Sequence, residues 1–230
     1  MKTIGLLGGL TFESSLLYYK LINEMVRERR GGTHAAKSVM VSVDFGEIQP
    51  LTETGEWDKI LEIMVRAARN IERSGADCLL LCANTVHKLA EGIGREIGIP
   101  ILHIVDATAE AIQRAGLDTV GLLGTRFTME EDFFSGRLRD RHGIVSLVPE
   151  KKDRDWIHRL IVDDLARGIV EPASKDALLR IMDGLAARGA RGVILGCTEL
   201  PLLVAEDEGP VPLFDTLKIH AGAAVDFALA

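Results

Sequence analysis

Thr3-Ile-Gly-Leu-Leu-Gly8 recurs almost unchanged as Thr119-Val-Gly-Leu-Leu-Gly124. A second pair follows in the same order: Gly75-Ala-Asp-Cys-Leu-Leu-Leu-Cys-Ala-Asn-Thr85 resembles Gly189-Ala-Arg-Gly-Val-Ile-Leu-Gly-Cys-Thr-Glu199. A looser pair joins Ile99-Pro-Ile-Leu-His103 to Val211-Pro-Leu-Phe-Asp215. Buried parallel strands resemble one another, so a single match carries little. Three matches in one order point to an internal repeat, and a repeat decides the fold. Each run is short and apolar and ends in glycine or a polar cluster, the pattern of a strand covered on both faces.

Working outward, amphipathic stretches separate the runs. Ser14–Arg29 reads as a helix, as do Asp58–Ser74, Thr128–Asp140, Trp156–Arg167, Lys175–Arg188 and Leu217–Leu229. The predicted strands are Thr3–Leu7, Lys37–Val43, Asp77–Cys82, Ile101–Val105, Thr119–Leu123, Ile144–Val148, Gly192–Leu195 and Val211–Phe214. Alternating strands and helices predict an α/β chain with parallel sheets. The repeat divides it into two pseudo-symmetric α/β domains: residues 1–105 with 217–230, and residues 106–216. Ligands of such sheets bind at the carboxyl ends of the strands, so the expected site is the cleft between the domains.

Composition narrows the function. The chain has 230 residues, 47% of them hydrophobic, and a formal charge of −7. That balance argues against broad binding to a phosphate backbone, so no nucleic-acid partner is expected. No apolar run approaches the roughly 18 residues of a membrane span. The first residues do not form a secretory signal, because Ile4–Leu10 is broken by glycine. Three cysteines do not suggest a disulfide framework, and a cytoplasmic location is expected. Gly5-Leu-Leu-Gly8-Gly9 lacks the glycine spacing of a dinucleotide site, although Asp44 ends the second strand as a ribose-binding acid does. The six histidines show no ligand spacing, and Cys78 and Cys82 have no second pair to complete a zinc site.

The strand ends that the repeat brings into register are Gly8-Gly9, Ala83-Asn84-Thr85, Gly124-Thr125 and Cys197-Thr198-Glu199. Cys197 follows an apolar strand directly. Backbone N–H groups at such a turn are expected to lower a thiol pKa from about 8.5. The thiolate is then a nucleophile or a base. Two such groups on opposite faces of one carbon can remove a proton and return it on the other side. Cys78 reads as core. Glu199 reads equally as a residue orienting the thiol or as an acid at a helix start. Thr128 reads as a helix cap, and Arg126 as a solvated side chain.

These motifs resemble the aspartate/glutamate racemase family, and within it the branch of broad-specificity amino-acid racemases. The matching stretches are Leu7-Gly-Gly-Leu-Thr-Phe-Glu-Ser-Ser15, Tyr18-Tyr-Lys-Leu-Ile-Asn23, Val43-Asp-Phe-Gly-Glu-Ile48, Asn84-Thr-Val-His-Lys88, Leu122-Leu-Gly-Thr-Arg-Phe-Thr128 and Gly196-Cys-Thr-Glu-Leu200. The resemblance implies a homodimer that acts on a small amino acid such as aspartate or glutamate, with neither pyridoxal phosphate nor a metal. It implies a thiol from each half working on Cα. It places catalytic roles on Cys197, Thr85 and Glu199, and substrate contacts on Gly9, Leu10, Thr52, Ala83, Asn84, Thr85 and Thr198.

The chain departs from that pattern in its first half. Relatives with two thiols carry Cys immediately before Asn-Thr, where this chain has Ala83. The repeat gives the same answer, because aligning Gly75 with Gly189 sets Ala83 opposite Cys197. Cys82 can replace the missing thiol only if the strand bulges, since one residue of slip turns a side chain to the other face. Three readings follow. Racemisation persists, with Cys197 on one face and water, Thr85 or a displaced Cys82 on the other. Alternatively the enzyme is a one-thiol decarboxylase of arylmalonate type, or the protein binds a small acid without turning it over. Residues 44–52 contain no Arg to clamp a distal carboxylate, and Arg167 is the remaining candidate.

Overall fold

A computed structural model describes residues 1–230. In chain order the elements are β1 (Ile4–Gly8), α1 (Phe12–Arg30), β2 (Ser38–Ser42), α2 (Phe45–Thr54), α3 (Trp57–Arg73), β3 (Cys78–Leu81), α4 (Ala90–Gly94), α5 (Ile104–Arg114), β4 (Thr119–Gly124), α6 (Arg126–Glu130), α7 (Asp132–His142), β5 (Val145–Leu147), α8 (Lys151–Arg159), α9 (Pro172–Ala187), β6 (Val193–Gly196), β7 (Leu213–Asp215) and α10 (Thr216–Leu229). The chain divides into two compact units, Met1–Ile104 with His220–Ala230, and Val105–Ile219.

In the first unit the parallel sheet runs β2-β1-β3, and Ile101 adds a single parallel bridge to Leu79. β1 is central and fully buried. One stripe of α3, formed by Ile60, Met64, Ala67, Ala68 and Ile71, packs into a core with Leu7, Leu79 and Leu81. Each such Ile, Leu or Met side chain removed from water contributes about 1.5–3 kcal/mol. The close packing of α3 requires Gly5, because a Cβ there would lie 2.3 Å from Ile71 Cγ2. Strand alternation turns Cys78, Leu80 and Cys82 to the opposite face of the sheet.

The second unit repeats this plan. Its parallel sheet runs β5-β4-β6-β7, again with the first strand of the unit flanked by its second and third. Gly121 matches Gly5: a Cβ there would lie 2.9 Å from Leu185 Cδ1 on α9. The turns that lead into β3 and β6 also match, since Gly75 (φ +87°) and Gly189 (φ +103°) both adopt a conformation that L side chains avoid. The internal repeat is therefore a repeat of packing as well as of letters.

Four local readings are corrected. The expected strand Ile101–Val105 shrinks to one bridge, and α5 starts at Ile104. A short apolar run does not distinguish a buried strand from the start of a buried helix. The expected helix Thr128–Asp140 is two helices broken at extended Glu131, and Thr128 lies buried inside α6 while Thr125 caps it. The stretch Trp156–Arg167 leaves α-geometry after Arg159, passing through a π turn (Leu160–Asp164) and a 3-10 turn (Leu165–Arg167). Asp44 does not end β2, which stops at Ser42; it caps α2, its Oδ1 accepting the Gly46 N–H at 2.8 Å.

Candidate active site

In the second unit β4 and β6 end close together. A Cβ on Gly124 would lie 2.8 Å from the Gly196 carbonyl oxygen, so only glycine fits there. The chain leaves β6 at Gly196 and turns through Cys197-Thr198-Glu199 into a 3-10 turn, Leu200–Leu202. The turn folds the Glu199 side chain back onto the two residues before it. The Cys197 thiol donates to Glu199 Oε2 at 2.9 Å, and the Thr198 hydroxyl donates to the same oxygen at 2.8 Å. All three residues are buried. Apolar neighbours in the same core cluster include Met129, Leu160, Ile161, Leu165 and Leu200.

This geometry reverses one expectation. Burial pushes the Cys197 thiol well above its ordinary range, and the Glu199 carboxylate adds to that through its charge and its hydrogen bond. The backbone N–H groups of Thr198 and Glu199 pull the other way, with less effect. Cys197 thus rests as a thiol poised on a carboxylate, a proton donor whose proton has a nearby acceptor.

In the first unit Ala83 follows β3 half-buried, Asn84 is buried and Thr85 is half-buried. Cys82 is fully buried, and burial pushes its thiol upward. Its backbone N–H bonds the Leu7 carbonyl at 2.9 Å, continuing the unbroken β1–β3 register. The bulge needed to turn Cys82 towards the strand end is absent. Cys78 is also buried, its thiol raised to about 11 by burial.

Gly9 (φ +86°) packs so tightly on Val43 that a Cβ would lie 2.0 Å from its carbonyl oxygen, and its N–H bonds Ser15 Oγ at 2.8 Å. Leu10 is buried in the first unit's core. Thr52 lies on α2 with its hydroxyl on the Ile48 carbonyl at 3.0 Å. Arg126 and Arg167 are exposed. No helix is long and apolar enough to cross a membrane, and no group of three His, Cys, Asp or Glu side chains is placed to hold a metal ion.

Residues that the sequence left without a role also bear on the first unit's strand end. The Ser14 hydroxyl donates to the Cys82 carbonyl at 2.9 Å. His87 bonds the Ala83 carbonyl through Nδ1 at 2.9 Å. Ser14 and His87 fall within the matching motifs, but nothing local in the sequence showed that they hold this strand end.

Two parallel sheets built on one repeated plan, with polar turns at matching strand ends and a thiol on one of them, define a duplicated α/β enzyme of the racemase type. The chain matches the family described as Asp/Glu/Hydantoin racemase over residues 7–224, and it belongs to that family. It is 45% identical to a candidate Asp/Glu racemase from Yersinia pestis, with a TM-score of 0.94 and all of both chains covered. It is 35% identical to an aspartate racemase homologue from Pyrococcus horikoshii, with a TM-score of 0.88 and again all of both chains covered. The broad specificity amino-acid racemase RacX of Bacillus subtilis is 26% identical over 176 residues, 75% of this chain and 74% of the relative. Family membership supports an isomerase, an amino-acid racemase acting on a small-molecule substrate.

Proposed function

We propose that the protein racemises free amino acids such as aspartate or glutamate by removing and returning the Cα proton without a cofactor, with Cys197 as the thiol acid/base. The observation that carries this reading is the buried Cys197–Glu199 pair at 2.9 Å. In one direction Glu199 accepts the thiol proton, and the sulfur electron pair so freed takes the proton from Cα. In the other, the Cα carbanion takes the proton of the S–H bond, and the sulfur keeps the bonding pair. The apolar residues packed around Cys197 limit water access, which strengthens both the hydrogen bond and the charge interaction. Backbone N–H groups at Asn84-Thr85 and at Thr198-Glu199 are suited to receive the substrate carboxylate.

The opposite face of Cα needs a second carrier, which Ala83 cannot be. With Cys82 held on the far face of its strand, the carrier is Thr85 or a water that it holds. Incubation in D2O with L- and D-amino acids, read by NMR and chiral chromatography, tests the reading. Exchange at Cα with inversion is the expected result. Exchange from one enantiomer without inversion would leave a one-faced enzyme. No exchange from any amino acid would remove the racemase reading.

Glu199→Gln keeps the shape of the side chain and deletes its charge. The carboxylate raises the Cys197 pKa, so its loss must lower it. The pH at which Cys197 ionises is expected to fall, read from thiolate absorbance. Turnover is expected to fall as well, because the amide cannot accept the thiol proton. An unchanged titration would show that the carboxylate does not act on the thiol.

A further inference from the structure

The turn that carries Asn84 and Thr85 has no side-chain cap of its own; Asn84 opens the 3-10 turn Thr85–Leu89 without one. The repeat alignment that sets Ala83 opposite Cys197 sets His87 opposite Pro201. In the second unit, the proline ring restricts the corresponding turn, Leu200–Leu202. In the first unit an imidazole stands in that place. His87 Nδ1 lies 2.9 Å from the Ala83 carbonyl, and the Ile104 N–H donates to His87 Nε2 at 3.2 Å. This pairing fixes the tautomer: Nδ1 carries the proton and Nε2 accepts. The ring is buried, and burial, together with the neighbouring His103 and His220, holds its pKa well below the ordinary value. It therefore stays neutral, and its donor and acceptor do not exchange roles.

Ile104 is the last residue of the first unit before the chain passes to the second, and His220 is the first residue after its return. His220 is held in the same manner. Its Nε2 lies 2.6 Å from the Leu102 carbonyl and its Nδ1 2.8 Å from the Tyr18 hydroxyl. The His87 and His220 rings lie 5.5 Å apart between centroids. The strand end at Ala83, the exit of the chain and its return are thus fastened by one buried, neutral cluster.

We propose that His87 is a positioning residue for the first-half face of the reaction: by bridging the Ala83 carbonyl and the Ile104 N–H it sets the Asn84-Thr85 turn on which the second proton carrier depends. This inference rests on the racemase reading. Displacing a reacting group by about 1 Å can cost up to about 100-fold in rate. The Cys197 thiol is carried by a separate turn, between Gly196 and Leu200, so once substrate is bound its own proton step does not pass through this one.

The test uses His87→Asn, which keeps a donor near the Nδ1 position, and His87→Gln, which can reach Ile104 and not Ala83. For each, Cα deuterium wash-in is measured at saturating concentrations of the L- and the D-enantiomer separately, beside a thermal melt. The expected result is that His87→Gln loses wash-in at least about tenfold on the face not served by Cys197, changes the Cys197 face less than about twofold, and is rescued by His87→Asn. Equal loss from both enantiomers, or equal effects of both variants in line with their melts, would reduce His87 to a fold-stabilising residue and overturn the proposal. A parent protein without any wash-in would instead remove the racemase reading, and this proposal with it.

Discussion

Replacing Cys197 by serine is expected to lower Cα exchange and racemisation by about 10²- to 10⁴-fold, the range that one positioned acid/base group contributes. The substitution changes one atom in a buried turn. A serine hydroxyl can still donate to Glu199 Oε2, so the hydrogen bond at 2.9 Å has a successor and the turn keeps its shape. What is lost is acidity, because an alcohol parts with its proton far less readily than a thiol. The circular dichroism spectrum and melting temperature should therefore stay close to those of the parent while turnover collapses. A variant that keeps its rate would remove Cys197 from the mechanism. Unchanged affinity for an amino acid, in a parent that never turned one over, would favour the binding-protein reading.

The second large effect is a gain. Ala83→Cys is expected to raise the rate of enantiomer interconversion by about 10²-fold or more, because it supplies a proton carrier where a methyl group now stands. Ala83 is half-buried, so a sulfur added at Cβ is not forced into a closed core. Its carbonyl is already held by His87, so the backbone that aims the new thiol is fixed. Two groups that must hold opposite protonation states should give a bell-shaped pH profile. The double variant Ala83→Cys/Cys197→Ser then serves as the mirror experiment, with exchange restored from the other enantiomer alone. If the folded single variant gains nothing, the first-half carrier is not at this strand end.

Much of the chain was legible from its sequence. The repeat that begins at Thr3 and at Thr119 predicted two parallel sheets, because the strands of each unit are written in short apolar runs closed by glycine or a polar cluster. Gly5 and Gly121 show why that signal is sharp: a helix side chain packs closely onto each, and at Gly5 a Cβ would also meet the Cys78 carbonyl oxygen at 2.7 Å. Cys197 was legible by its place after an apolar strand, and the departure at Ala83 by the same alignment. Local errors fell where periodicity is ambiguous, as at Ile101–Val105, or where one unbroken pattern hid a break, as at Glu131.

The sequence by itself determined the duplicated α/β architecture, the strand ends and the single thiol among them, since each is set by residues adjacent or regularly spaced along the chain. Only the tertiary structure decided the direction of the Cys197 pKa, which turns on how Glu199 folds back and what covers both. It alone ruled out a bulge at Cys82, through the register with β1. It alone brought Tyr18 and Leu102 to His220, 202 and 118 residues away in the chain. Hydrogen bonds and burial depend on distance in space, and no spacing along the sequence encodes which remote groups will meet.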